Sequence, residues 1–352
     1  MRVEAASPPL NHQKSGGHAA STLLPLGTRI NTPASPMSLA IIYLLAGLVL
    51  LYFGAEGLVR GSSSLALRLG LSPLVVGLTV VAFGTSSPEL MVSLRAALAG
   101  QSDISVGNVV GSNICNIGLI LGLCALITPI TTNSQIVRID IPIMIGITAL
   151  SLVLMADGNI GRTEGIIFCL ILVAYIAFSI ALARRQPADA LGTEFGEEVK
   201  ISKRGLAVDI IMVIGGLALL VFGARFLVDG AVIIARNYGW SEALIGLTIV
   251  AIGTSLPELA TSLLAAVKKE SDIAVGNIVG SNIFNLVGIL GITAIVHPLQ
   301  ATGIDAVDLA VMAGFSLLLW PMAYYQQRIT RPAGACLLLG YAGFLFWLLR
   351  AT

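Results

Sequence analysis

The sequence predicts an all-α integral membrane protein with about ten transmembrane helices in two inverted five-helix repeats. Three observations predict this fold: an apolar composition, a series of long apolar segments, and a duplication at constant spacing. Hydrophobic residues make up 56% of the 352 residues, charged residues make up 11%, and the mean hydropathy is +0.92. A soluble fold of this composition would lack the polar side chains needed to cover its core. The lipid bilayer is therefore the expected surrounding of most of the chain.

Ten apolar segments are each long enough to cross the bilayer as a helix, which takes about 20 residues. No alternation typical of strands competes with this interpretation. The predicted helices are 38–68, 72–98, 103–128, 137–156, 160–184, 205–237, 241–267, 272–296, 304–326 and 331–349.

The helices divide into a first repeat at 38–184 and a second repeat at 205–352, joined by a short polar linker at 185–204. Residues 1–37 are polar and patternless, and we expect either a disordered N-terminal extension or a start codon assigned too early. In the second case Met37 is the true first residue.

The two repeats share one nearly identical stretch. Residues 77–118 align with residues 246–287 without a gap, and about two-thirds of the aligned positions are identical. The spacing is constant, with Glu258 following Glu89 by 169 residues. Because five is an odd number of helices, the second repeat enters the membrane in the opposite direction, as in secondary transporters.

Lys and Arg residues concentrate on one side of the predicted helices. The excess of basic residues in cytoplasmic loops places the linker 185–204 in the cytoplasm and both termini outside, in a cell inner (plasma) membrane. The net charge of +1 gives no indication of a nucleic-acid partner, and the oligomeric state does not follow from the sequence. The cytoplasmic side carries Arg68, Arg138, Arg184, Arg185, Lys200, Lys203, Arg204, Lys268, Lys269, Arg328 and Arg331, and the other side carries Arg162, Arg236, Arg350 and the N-terminal basic residues.

Each repeat places one glutamate within a predicted span, in the sequences GTSSPE at 84–89 and GTSLPE at 253–258. A carboxylate at the bilayer centre costs about 2.5–3.5 kcal/mol on insertion scales, so a duplicated pair is expected to be functional. On a helix, the hydroxyls of Thr85 and Ser86 would share a face with Glu89. The proline and glycine of each motif loosen backbone carbonyls, which a bilayer tolerates only beside protein or a filled cavity.

The following span of each repeat adds further side-chain oxygens. Ser112 and Asn116 lie four residues apart and share one helix face, as do Ser281 and Asn285. No thiolate or imidazole accompanies them, and hard oxygen ligands favour Ca²⁺ or Na⁺. The charge of two glutamates balances one Ca²⁺ or two Na⁺. The sequence therefore predicts a site at which the two ions compete, which is the physical basis of exchange.

The small and amide residues around these positions have more than one interpretation. Gly107, Gly111, Gly276 and Gly280 indicate either close helix packing or a direct functional role. The remaining asparagines are interpreted as bonding across helices rather than to ions. They are Asn108, Asn113, Asn277 and Asn282.

These motifs, with GNVVGSNICN at 107–116 and GNIVGSNIFN at 276–285, resemble the two α-repeats of the Ca²⁺/cation antiporter superfamily, sodium/calcium exchanger branch of prokaryotic type. The likeness covers nearly all of 38–350. It implies a central oxygen cage that opens alternately to either side, Ca²⁺ and Na⁺ as transported ions, and no cofactor. It assigns as metal ligands Glu89, Glu258, Thr85, Ser86, Thr254, Ser255, Ser112, Ser281, the carbonyls of Ala82 and Ala251, and the central pair Asn116 and Asn285.

The resemblance predicts electrogenic exchange of Na⁺ for Ca²⁺, with helices 38–68 and 205–237 as a sliding gate pair. Potassium-dependent members resemble a pattern with Asp at one of the central positions. Asn116 and Asn285 are both uncharged here, so we expect exchange that does not require K⁺.

Three alternatives remain at this stage. A proton/Ca²⁺ antiporter would use the same fold, since a buried carboxylate can exchange a proton. A membrane-embedded hydrolase would need a nucleophile–base pair or an activated water, and the sequence offers neither, so we expect no enzyme. The third alternative, a Ca²⁺ sensor or scaffold that does not transport, would not explain why the repeat is inverted.

Overall fold

The computed structural model describes residues 36–184, 205–239, 251–300 and 303–351. Residues 1–35 of the predicted extension, the linker and residues 241–250 of the predicted helix 241–267 lie outside these residues, whereas Pro36 and Met37 belong to the first helix. Eight of the described helices are long and apolar enough to cross a membrane, and a bent pair makes a ninth span. The helices are α1 (Pro36–Leu69), α2 (Pro73–Thr85), α3 (Ser87–Leu98), α4 (Ser102–Ile127), α5 (Ile136–Leu154), α6 (Arg162–Ala183), α7 (Leu206–Asn237), α8 (Ala251–Thr254), α9 (Leu256–Val267), α10 (Ser271–Val296), α11 (Ala306–Tyr324) and α12 (Arg331–Ala351).

The second span of the first repeat is broken. The sequence predicts one helix over 72–98, but α2 and α3 meet at an angle of 44°. Ser86 at the break has ψ of 6°, and Pro88 has no N–H with which to continue the helical ladder. The second repeat breaks in the same way at Ser255, between α8 and α9. Both breaks come three residues before a glutamate.

Four short strands join the repeats, and the sequence analysis missed them because two residues are too few to show alternation. They are β1 (Ile130–Thr131), β2 (Asn159–Ile160), β3 (Leu299–Gln300) and β4 (Arg328–Ile329). β1 pairs with β4 and β2 pairs with β3, each antiparallel. The long helix α5 separates β1 from β2, so the two ladders lie at opposite ends of the bundle. Since β1 and β3 are equivalent in the duplication, this arrangement is what an inverted repeat requires.

α1 and α7 pack along their whole length with backbone against backbone. Each helix carries three glycines at intervals of seven residues, and the two sets match in the duplication. A Cβ atom added at Gly216 would lie 2.6 Å from the Leu58 nitrogen and 2.7 Å from the Gly54 oxygen. Small residues allow such close approach in membranes, so these glycines specify the pairing. The glycines are Gly47, Gly54 and Gly61 on α1 and Gly216, Gly223 and Gly230 on α7.

α4 and α10 form the centre of the bundle. The most apolar window of α4 is 72% buried and that of α10 is 89% buried, whereas the windows of α1 and α12 are only 22% and 17% buried. A Cβ atom at Gly280 would lie 2.5 Å from the Leu78 oxygen, and one at Gly276 would lie 2.9 Å from the Leu74 oxygen. For these two glycines the structure favours the close-packing interpretation. The outer helices present large apolar side chains outwards, as a lipid-facing surface requires.

Candidate functional site

The two repeated glutamates lie in the interior. Glu89 and Glu258 are each 1% exposed and occupy the first turns of α3 and α9. A carboxylate is favourable at a helix N-terminus because the unpaired N–H groups there carry partial positive charge. Each carboxylate is bonded by the serine at the break of the other span. The breaks in the two spans therefore bring one acid from each repeat into a shared interior.

Each glutamate is bonded by a hydroxyl from the other repeat. Ser86 Oγ donates to Glu258 Oε1 over 2.8 Å, and Ser255 Oγ donates to Glu89 Oε1 over 3.2 Å. The expectation that Ser86 and Thr85 share a helix face with Glu89 is wrong, because the helix ends between them. The break turns these hydroxyls across the interface between the repeats.

The threonines of the motifs are the last residues of α2 and α8. Thr85 and Thr254 each directly precede the serine that bonds a glutamate of the other repeat, and Thr85 is buried. Thr85 Oγ1 donates to Asn277 Oδ1 over 3.0 Å, which uses its hydrogen and leaves its lone pairs available.

Two serines that the sequence analysis did not single out support this arrangement. Asn277 Nδ2 donates to Ser262 Oγ, and Asn108 Nδ2 donates to Ser93 Oγ, each over 2.9 Å. The duplication makes these two bonds equivalent. The interpretation that such asparagines bond across helices is confirmed. Ser93 and Ser262 could have been found as the only side-chain hydroxyl or amide positions identical in the two copies of this helix after the glutamate.

The remaining predicted side chains belong to the two central helices. Ser112 and Asn116 on α4 are 4% and 1% exposed, and Ser281 and Asn285 on α10 are 0% and 1% exposed. The segment that begins at Asn116 packs on α9, the helix of Glu258, and the segment that contains Asn285 packs on α3, the helix of Glu89. Both segments are π-helical, a local widening that is frequent at functional sites.

Five buried oxygen atoms of the predicted set have no hydrogen-bond partner within the part of the chain that the structure describes. Buried polar atoms are nearly always bonded. Buried hydroxyls elsewhere, such as those of Ser62 and Ser151, also lack a partner among the described residues, and what distinguishes these five atoms is that they belong to one predicted ligand set. A bound hard cation would explain these oxygen atoms, because hard cations are coordinated by oxygen ligands. The atoms are Glu89 Oε2, Glu258 Oε2, Ser281 Oγ, Asn116 Oδ1 and Asn285 Oδ1.

The two predicted backbone ligands lie at the ends of the broken spans. The Ala82 carbonyl accepts from the Ser86 nitrogen over 3.0 Å and is 3.4 Å from Thr85 Oγ1. Ala251 lies three residues before the end of α8, as Ala82 does before the end of α2. Within the described ranges no three His, Cys, Asp or Glu side chains converge, so a cation here would be held by two carboxylates and neutral oxygens.

Comparison with known proteins finds similarity over most of the chain. The sodium/calcium exchanger protein family matches residues 39–181 and again residues 208–350. The inner membrane protein YrbG of Escherichia coli K12 is 40% identical, with 89% of this chain and 96% of YrbG covered. The sodium/calcium exchanger MaX1 of Methanosarcina acetivorans is 33% identical, with 86% of this chain and 97% of MaX1 covered.

A solved structure of the sodium–calcium exchanger NCX_Mj superimposes on the fold with a TM-score of 0.76 and 33% identity, covering 88% of this chain and 99% of that one. The family match falls once on each repeat, which confirms the duplication. The protein is a multi-pass membrane transporter and not an enzyme. The chain belongs to the sodium/calcium exchanger protein family.

Proposed function

We propose that this protein is a secondary active antiporter that exchanges Na⁺ for Ca²⁺ by alternating access, electrogenically and without K⁺. The observation that carries the proposal is a set of five buried oxygens that have no partner among the described residues, one on each glutamate and three on α4 and α10. Two acids buried together repel each other unless cations or protons neutralise them. One Ca²⁺ or two Na⁺ would do so, and either load would use the same oxygens.

The ligand set we propose is the one that the sequence predicted. The two glutamates supply the charge, and the neutral oxygens complete the 6–8 ligands that Ca²⁺ accepts in flexible geometry. MaX1 and NCX_Mj, both sodium/calcium exchangers by name, support Na⁺ as the counter-ion. The neutral ligands are Thr85, Ser86, Ser112, Asn116, Thr254, Ser255, Ser281, Asn285 and the carbonyls of Ala82 and Ala251.

We also propose that the linker 185–204 is cytoplasmic and both termini are external, from the distribution of Lys and Arg. In the plasma membrane, this orientation makes α1 run inwards from the external face. The end of the bundle where α1, α9 and Arg68 meet is then the cytoplasmic end.

The first experiment is ⁴⁵Ca²⁺ uptake by proteoliposomes under imposed Na⁺, K⁺ and H⁺ gradients in turn. Uptake should follow the Na⁺ gradient, respond to membrane potential, and be unchanged when K⁺ is omitted. Glu89→Gln and Glu258→Gln should each abolish Ca²⁺ uptake, because the one remaining carboxylate cannot balance the two positive charges of Ca²⁺. Glu164→Gln is the matched control, since Glu164 only accepts a bond from the Gly161 nitrogen at the start of α6.

Proton/Ca²⁺ exchange is the second candidate, and one observation favours it. Glu89 and Glu258 each have one buried oxygen without a partner in the described part of the chain, where a proton could be held in place of Na⁺. Simultaneous recording of ²²Na⁺ and internal pH during Ca²⁺ flux separates the two. Na⁺ coupling is overturned if Ca²⁺ uptake proceeds at full rate without Na⁺ while protons leave the vesicle and its interior becomes more alkaline. The proposed cation site would be unaffected by that result.

A further inference from the structure

Two asparagine pairs connect the repeats beside the proposed site. Asn116 on α4 donates through Nδ2 to Asn282 Oδ1 over 3.0 Å, and Asn285 on α10 donates through Nδ2 to Asn113 Oδ1 over 3.1 Å. All four side chains are at most 2% exposed. The duplication makes the two bonds equivalent. We call Asn116 and Asn285 the inner asparagines, and Asn113 and Asn282, which lie three residues earlier on the same helices, the outer asparagines. Each bond joins an inner asparagine to the outer asparagine of the other repeat.

The side-chain nitrogen of each outer asparagine donates a hydrogen bond to a methionine sulfur. Asn113 Nδ2 donates to Met312 Sδ on α11, and Asn282 Nδ2 donates to Met144 Sδ on α5, each over 3.8 Å. Met144 and Met312 are at most 1% exposed. A thioether sulfur can accept a hydrogen bond but cannot donate one. The outer amide must therefore turn its N–H₂ group to the sulfur and its oxygen to the inner asparagine.

The orientation of the outer amide decides the orientation of the inner one. Because the Nδ2 groups of Asn116 and Asn285 are held by the outer oxygens, their own Oδ1 atoms face the other way. These two oxygens are buried and have no partner among the described residues. With the opposite amide orientation, an N–H₂ group would take their place, and it would repel a cation.

We propose that Met312 with Asn113, and Met144 with Asn282, are positioning residues that fix the inner amides so that Asn285 and Asn116 present a carbonyl oxygen to the transported cation. This inference rests on the proposed function, since it assumes that a cation occupies the site. An uncharged oxygen adds a ligand without adding charge, which keeps the balance between the two glutamates and one Ca²⁺.

The test uses Met312→Leu, Met144→Leu and the double variant in proteoliposomes. Leucine conserves volume and removes the acceptor, so a packing defect is small. The KM for Ca²⁺ should rise by about two- to tenfold in each single variant, as expected for one neutral hydrogen bond, and further in the double variant. The maximal rate and the melting temperature should change little. Met155→Leu, another buried methionine, is the control and should leave KM unchanged.

A second background separates positioning from structure. In Asn113→Asp the residue offers an oxygen to Asn285 in either orientation, so Met312→Leu should have no further effect on KM there. A KM increase of the same size in both backgrounds, or an unchanged KM in all methionine variants while the wild type transports Ca²⁺, overturns the inference. If the wild type carries no Na⁺-driven Ca²⁺ flux, the proposed function fails instead, and purified protein then shows whether Ca²⁺ still raises its melting temperature and whether the methionine variants reduce that effect.

Discussion

At the scale of single residues, the two buried glutamates were predictable from the sequence, and the hydroxyls that bond them were not. The duplicated GTSSPE and GTSLPE motifs identified the two glutamates because buried carboxylates are too costly to be repeated without a use. The sequence spacing predicted that the Ser86 hydroxyl lies on the same helix face as Glu89. In the structure Ser86 bonds Glu258 and Ser255 bonds Glu89, because a break that sequence spacing does not reveal turns each hydroxyl to the other repeat.

The crossed serines lead to a prediction about affinity. Ser86→Ala or Ser255→Ala should raise the KM for Ca²⁺ by about tenfold, since a hydrogen bond to a charged group contributes about 1.5–3 kcal/mol and 1.4 kcal/mol is a factor of ten. The two variants should behave alike because their bonds are equivalent. ⁴⁵Ca²⁺ uptake at varied Ca²⁺ concentration measures the effect.

Ser87 is the matched control for this prediction. It adjoins Ser86, is partly exposed, and donates to the Phe83 carbonyl over 2.9 Å within its own repeat. Ser87→Ala should therefore keep the wild-type KM. A tenfold effect in Ser86→Ala with none in Ser255→Ala would contradict the crossed arrangement.

At the scale of elements, sequence periodicity found the long helices and failed where a short irregular segment decides the structure. The helices α1, α4, α6, α7 and α12 end within a few residues of the predicted limits, because apolar length alone determines a span. The predicted single helix 72–98 is broken, and the two-residue strands carry too little pattern to be recognised. The pairing of α1 with α7 follows from glycines seven residues apart, a signal that is visible in the sequence once the duplication is known.

The glycine pairing of α1 and α7 predicts opposite outcomes at two adjacent positions. Gly216→Ala places a methyl group 2.6 Å from the Leu58 nitrogen, so the helices must separate, at a cost of about 1–3 kcal/mol for overpacking. Gly215→Ala meets no atom of the described residues within 4 Å and gains helix propensity of about 1 kcal/mol. Thermal unfolding of purified protein should show a lower melting temperature for the first and an equal or higher one for the second. Equal destabilisation by both would contradict the backbone contact.

At the scale of the whole molecule, the sequence departs from its own symmetry at one end of the bundle. Lys268, which follows α9, forms an ion pair with Glu56 on α1. Arg68 at the end of α1 pairs with Asp209 at the start of α7 over 2.5 Å. The position equivalent to Lys268 is Ala99, so the other end has no matching cation there.

The packing of α1 and α7 differs between the two repeats in the same way as the ion pairs do. α1 and α7 pack extensively on α9 and far less on α3, although α3 and α9 are equivalent in the duplication. Under the alternating access proposed above, this packing corresponds to a state closed at the α9 end. The Lys268–Glu56 ion pair stabilises that state, because it joins α1 to the end of α9.

Removing the Lys268 charge should accordingly shift the balance of the two states. Lys268 and Glu56 are 26% and 15% exposed, so the pair is worth no more than about 1 kcal/mol, a shift in population of up to about fivefold. Ser62, fully buried on α1, reports the opening when changed to cysteine in a chain free of other cysteines. Lys268→Ala should speed its labelling by a membrane-impermeant maleimide several-fold, whereas Lys268→Arg and Lys269→Ala should not. Equal labelling in all variants would mean that packing alone, and not this ion pair, sets the preference.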